Sequence, residues 1–483
     1  MGLFDWLRRM FGLRVRPVAP PAPARPVLPP APAPPPQAPP APPTPPLPPR
    51  RYHLGLDWGT STTKMVLRDY GAKGSERGLA YVLEPEGQLR IPSTVVLSEG
   101  RLWFGWEAER RRERAQVWDS LKATAGAGRR WQEDAGVGDL RYEDLVALSL
   151  THYIGIGWSH AQKMAVDARS RPVLGMTLGV PAWEAQNFHQ PYLRAAAVAY
   201  RLAVREGWEP QGQRLEDCAA KLAEGRAVAL PGLDLSLQES ERWLRAEVVA
   251  AMVWPLRSPE IGEGPYTILD VGAGTVHASW VRVHHRHDED GRYLEKSALT
   301  VFGTRTGTSA MDAYDQALAL DLGRADWRGL RGQEDRAPAG QRRAVDGVLN
   351  EMFETWAAAR RDAVQGTRTP MEDWEGTGVL VVGGGSLVRR IRQRFQTLPG
   401  DFARLHEVRH LEPPSQPLDL RRLPVAAGGS RQPLDVRFLL VAYGLSLHTG
   451  DLPEIFLGGD RAVGRQPSPR GQPTSEELGY DNP

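Results

Sequence analysis

The chain has 483 residues, with 60 Lys+Arg against 58 Asp+Glu and a formal charge of +2. That length suits two ordinary domains, and so even a balance gives no global field that recruits nucleic acid or acidic substrates. A single cysteine, Cys218, excludes an intramolecular disulfide framework, and no run reaches the 18 or more apolar residues of a spanning helix.

Residues 1–16, MGLFDWLRRMFGLRVR, place Leu3, Phe4, Leu7, Met10 and Phe11 at helical spacing, with Asp5, Arg8 and Arg9 on the other side. An amphipathic helix is expected. It suits a membrane interface or a partner groove, the alternative being that it packs back on its own domain. Charges break its apolar stretch and no small-residue cleavage site follows, which argues against a signal peptide. Residues 17–50 hold 19 of the 42 prolines. They read as a polyproline II spacer, at about 3.1 Å per residue, rather than a folded segment.

From residue 51 to 457 the pattern is globular. Short β-rich runs (RYHLGLDW, PSTVVLS, LGMTLGVPA, YTILDVG, GVLVVGG) alternate with helical stretches at 143–160 and 342–361. The expected class is α/β. Residues 458–483 turn to Gly, Pro and charge and read as a disordered tail.

Within the globular part, LGLDWGTSTTKMVL (54–67) is an apolar strand stopped by Asp57 and a turn of glycine and hydroxyl residues, then resumed. YTILDVGAGTVHASWVRV (266–283) repeats the form, with Asp270 answering Asp57. Each reads as a β-hairpin whose glycine turn lets backbone N–H groups converge on an anion. An aspartate beside such a turn can hold magnesium, usually through water, and the ion then bridges phosphate oxygens. Two facing hairpins would clamp a polyphosphate, and their separation suggests duplicated halves. GTSTTK is not a Walker loop: the glycine before Lys64 is missing and a strand follows.

These elements resemble the actin, sugar kinase and heat-shock ATPase superfamily, and most closely the nucleotide-binding domain of the DnaK-type heat-shock protein 70 family. The resemblance is spread over about 400 residues, in the family's order. It is carried by LGLDWGTSTT, RIPSTVVL with RLWFGWEA, LGMTLGVPAWEAQN, ILDVGAGTVHAS, GTRTGTSAMD, VLVVGGGSLVRRI and FLLVAYGLSL. It implies an actin-like ATPase fold of two ribonuclease-H-like lobes, about 51–260 and 261–457, around a nucleotide cleft. It also implies ATP and magnesium as ligands. Asp57 and Asp270 would hold the hydrated ion. Gly59, Thr60, Ser61, Thr62, Lys64, Gly272, Ala273, Gly274, Thr275 and Gly307 would face phosphate, and Gly383, Gly384, Gly385 and Ser386 adenosine.

Three further residues are implied as catalytic. Lys122 in VWDSLKATAG stands near the family's phosphate-contacting lysine, one position out of register, its alternative being a solvated lysine. Glu247 in AEVVAAM matches a glutamate that orients the attacking water, without the family's flanking asparagine and proline; its alternative is a helix-surface carboxylate. His277 stands where the chaperones have aspartate and actins histidine. Lys64 is typical of actins and sugar kinases rather than chaperones. The 315–376 segment is shorter than in the chaperones, and 181–247, which contains Cys218, is longer. The chain after residue 450 is too short for the peptide-holding domain, so none is expected.

Three functions follow as expectations. The first is an ATP-driven conformational switch or chaperone-like factor, hydrolysing ATP to ADP and phosphate. The second is an actin-like scaffold or filament protein, and the third a sugar kinase-like phosphotransferase. The expected location is cytoplasmic and peripheral on the inner face of the membrane, with an unknown protein partner or client and no nucleic acid.

Overall fold

The strands that frame the site are set by alternation and by β-branched content. The computed structural model describes residues 47–72, 77–126, 130–181, 189–236, 242–257, 261–287, 293–324, 342–367, 377–396, 409–410, 417–423, 434–452 and 454–457. The sequence readings on residues 1–16, on most of 17–50 and on 458–483 lie outside them.

The first sheet contains β1 (Pro49–Trp58), β2 (Thr62–Asp69), β3 (Leu79–Leu83), β4 (Arg171–Val180) and β5 (Leu244–Ala246), in the spatial order β5-β4-β1-β2-β3. The second contains β6 (Gly264–Val271), β7 (Val276–His287), β8 (Tyr293–Gly307), β9 (Gly378–Val382) and β10 (Arg409–His410), in the order β10-β9-β6-β7-β8. Both run the same way. The first strand is antiparallel to the second and parallel to the fourth, and the second is antiparallel to the third. Each sheet then gains a parallel edge strand from late in the chain: Leu420–Arg422 beside β3 and β11 (Glu454–Leu457) beside β8. The α/β class read from the sequence holds, with mixed sheets.

The helices cover these sheets where glycine permits close approach. Helix α1 (Tyr142–Asp167) crosses β1 at Gly157, where a Cβ would stand 2.7 Å from a Leu54 methyl. With α2 (His189–Tyr200) and α3 (Leu215–Ala229), it buries a core that includes Leu54, Leu148, Leu178, Leu202 and Cys218. On the second sheet, α5 (Met311–Asp321) and α6 (Arg343–Thr367) bury Trp280, Phe353, Trp356 and Phe395. A third cluster draws Val66 and Val82 from the first sheet and Ile268, Val281 and Leu380 from the second. Between them lie α4 (Glu247–Val253) and α7 (Leu440–Leu445), which touch at Gly444, where a Cβ would meet the Ala250 carbonyl at 2.0 Å. Among the described residues, no helix is long and apolar enough to cross a membrane.

Candidate functional site

The two glycine turns meet. β1 and β2 are joined through Gly59–Ser61 and β6 and β7 through Gly272–Thr275, and the turns touch where Gly274 lies against the Thr60 side chain. Only small residues allow this: a Cβ on Gly274 would stand 2.8 Å from Thr60 Cγ2, and one on Gly59 2.6 Å from the Thr62 carbonyl oxygen. The second turn is braced by Gly272 N–H donating to the Thr275 carbonyl at 2.9 Å. The first amides of α5, on Met311 and Asp312, donate to the carbonyls of Gly272 and Ala273 at 3.1 and 2.8 Å. A third glycine segment arrives from β9. Gly383 has φ +76°, and any Cβ there would lie 2.3 Å from Asp270 Oδ1. Glycine is required on both counts.

Together these turns line a cavity of about 480 Å³, within the range of small-molecule sites. Asp57, Gly59, Thr60, Ser61, Thr62, Lys64, Lys122, Glu247, Asp270, Gly272, Ala273, Thr275, His277, Gly383 and Gly384 all border it. Four residues named from the sequence do not. Gly274 packs on Thr60, Gly307 faces Thr355 of α6, and Gly385 abuts Val271, while the Ser386 hydroxyl donates to the Gly383 carbonyl at 2.7 Å.

Charge in the cavity is arranged in pairs. Asp57 is the last residue but one of β1, and its cross-strand partner on β2 is Lys64, whose Nζ lies 3.1 Å from Asp57 Oδ2. Glu247 opens α4 and is buried. It is ion-paired with Lys122 of the short helix Leu121–Gly126, 125 residues earlier in the chain. Burial raises the Glu247 carboxyl, but Lys122 beside it more than offsets this and holds it below its ordinary value. Asp57 is raised by burial in spite of Lys64. Among the described residues, Asp270 has no ion-paired lysine. Burial, with the charges of Glu247 and Asp57, pushes it up to about 7.

His277 is the cross-strand partner of Asp270, as Lys64 is of Asp57. Its ring is bonded on both sides instead, with Nε2 3.1 Å from Thr275 Oγ1 and Nδ1 3.0 Å from Thr306 Oγ1. Burial lowers its pKa, so the neutral ring is favoured.

Among the described residues, no group of three His, Cys, Asp or Glu side chains could itself enclose a metal. The residues suit a hydrated ion instead. Magnesium keeps several waters and takes one or two carboxylates plus phosphate oxygens, and Asp57 and Asp270 supply two carboxylates at the mouths of the two turns. Burial and the neighbouring carboxylates disfavour the ionised form of Asp270, and a cation at that place would favour it.

Sequence reasoning missed Arg90, His189, Tyr192, Thr306, Thr308, Arg437 and Phe438, which also line the cavity. Thr306 and Thr308 both lie within GTRTGTSAMD, the first in β8 and the second just past its end, a signal that was available. Arg90 sits over the Phe438 ring at 4.8 Å, a contact between residues 348 apart with no local pattern to announce it. No protein-family model matches the chain, and no curated protein matches it.

Proposed function

We propose that this chain binds ATP with magnesium between its two sheets and hydrolyses it slowly, as a nucleotide-dependent conformational switch of the heat-shock-70 kind on an actin-like ATPase fold. One observation carries the reading: two hairpins at the same place in two sheets of one strand order bring their glycine turns and their aspartates to a single cavity. In this reading, the backbone N–H groups of Gly59–Thr62 and Gly272–Thr275 receive the phosphates, and Gly383 and Gly384 leave room for the nucleoside. Asp57 and Asp270 hold the hydrated ion, which when bound neutralises phosphate charge. Lys64 and Lys122 add positive charge where it develops. Glu247, kept ionised by Lys122, and His277, kept neutral by burial, orient the water that attacks the terminal phosphate. The contact of α4 with α7 at Ala250 and Gly444 is where motion between the sheets would be felt. The amphipathic pattern of residues 1–16 would tether the switch to the cytoplasmic face of a membrane or to a partner.

Equilibrium nucleotide binding and steady-state ADP release, each with and without magnesium, test this. The expected result is magnesium-dependent binding and slow turnover, both lost in Asp57→Ala. Absence of ATP binding at millimolar nucleotide with magnesium overturns it.

A second reading, phosphoryl transfer to a small hydroxyl compound, is favoured by one feature. Val180, Pro181, His189, Tyr192 and Leu244 also line the cavity, and the buried Tyr192 hydroxyl has no hydrogen-bond partner among the described residues. ADP release that appears only on adding a polyol would select it.

A further inference from the structure

Asp270, His277 and Thr306 form one row across β6, β7 and β8: Asp270 opposes His277, and His277 opposes Thr306. All three line the cavity. In the first sheet, the residue opposite the aspartate is Lys64, and it turns to that aspartate. In the second, the residue at the same place is His277, and both of its ring nitrogens are taken by threonine hydroxyls, at 3.1 and 3.0 Å. The two halves therefore treat their aspartates differently. Directly opposed side chains on antiparallel strands stand about 5 Å apart at Cβ, so an imidazole released from Thr306 is within reach of Asp270.

We propose that Thr306 is a positioning residue: its hydroxyl holds Nδ1 of His277 so that the ring stands between Thr275 and Thr306 and leaves the Asp270 carboxylate open to the cavity. The inference rests on the reading that this cavity takes a magnesium nucleotide. The side chains suit the role. A hydroxyl both donates and accepts, so two threonines satisfy both nitrogens of a neutral imidazole, one accepting from the ring N–H and the other donating to the bare nitrogen. Threonine is stiff at χ1, which fixes the direction of the bond. Thr275 belongs to the second glycine turn, so the ring orientation set at Thr306 is carried to a hydroxyl at the centre of the site.

Thr306→Val keeps the shape and deletes the hydroxyl, and Thr306→Ser keeps the hydroxyl. The first measurement is on ligand-free protein. Imidazole ¹⁵N shifts are recorded with histidine labelling, and His277 is assigned from the signal lost in His277→Gln. Thr306→Val is expected to move both ring-nitrogen shifts, while Thr306→Ser leaves them in place. The second is magnesium-nucleotide affinity, expected to fall about tenfold in Thr306→Val, the size of one lost hydrogen bond, and to return in Thr306→Ser. Unchanged His277 shifts in Thr306→Val, or a loss of affinity that Thr306→Ser does not restore, overturn the proposal. If the parent protein binds no nucleotide, the functional reading fails by itself, and the ¹⁵N shifts still decide what Thr306 does to His277.

Discussion

Gly274 and Thr60 lie in turns of different sheets, and the Cβ that Gly274 lacks would stand 2.8 Å from Thr60 Cγ2. The two hairpins thus close on each other through a glycine and a stiff β-branched side chain. Gly274→Ala is expected to push the turns apart and weaken magnesium-ATP binding by tenfold or more, since overpacking a buried contact costs about 1–3 kcal/mol. Thr60→Ser removes the methyl in the way. The double variant should therefore bind more tightly than Gly274→Ala alone, which a dissociation-constant series by fluorescent nucleotide titration checks.

Asp270 sets a pH dependence. Its carboxyl is raised from an ordinary aspartate value to about 7, chiefly by burial and then by Glu247 and Asp57. Between about pH 4 and 7 the folded state binds a proton that the unfolded state has lost, so this contribution to stability is full below pH 4 and is lost as pH rises through 7. Asp270→Asn carries no such charge. Without nucleotide, its melting temperature should exceed that of the parent at pH 8, and the gap should close towards pH 4. Calorimetric scans across that range check the sign, and a gap that widens on acidification contradicts it.

The Lys122 and Glu247 pair is buried on both sides. Removing one partner leaves a buried charge, a change that costs about 3–5 kcal/mol in comparable pairs. Lys122→Ala should therefore unfold at clearly lower denaturant, whereas Lys122→Met with Glu247→Gln, which neutralises both ends, should recover most of the loss. Glu247→Gln alone is expected to retain ATP binding and lose at least tenfold in turnover; urea midpoints and single-turnover rates separate the two effects.

The helix crossing gives a fourth expectation. A Cβ at Gly444 would meet the Ala250 carbonyl oxygen at 2.0 Å, a backbone atom with no side chain to move aside. Gly444→Ala should cost about 3 kcal/mol, the upper end for overpacking. Ala250→Gly, which leaves that carbonyl in place, should not rescue it. Thermal melts of the two single variants and the double variant check this.

Local chemistry made much of the site legible in the sequence. Alternation, glycine turns and the aspartates before them are written in consecutive residues, so the hairpins around Asp57 and Asp270 could be named from turn chemistry and repetition, and the family resemblance then assigned their residues to metal and phosphate. The Lys64 and His277 positions follow from the same hairpins, seven residues after each aspartate. What those two side chains touch did not follow: the same place in the hairpin holds an ion pair in one sheet and a histidine bonded to Thr306 in the other. Lys122 and Glu247 each matched a motif imperfectly, and their pairing across 125 residues depends on how α4 and the Leu121–Gly126 helix reach one cavity. The edge strands at 420–422 and 454–457 and the Arg90 contact with Phe438 were likewise decided by closure of the fold. Periodicity and turn chemistry act over a few residues and are recorded in order along the chain. Cross-sheet register, burial and the charges that share one cavity arise only when distant segments pack, and those determine which carboxylate is held ionised and which is left near neutrality.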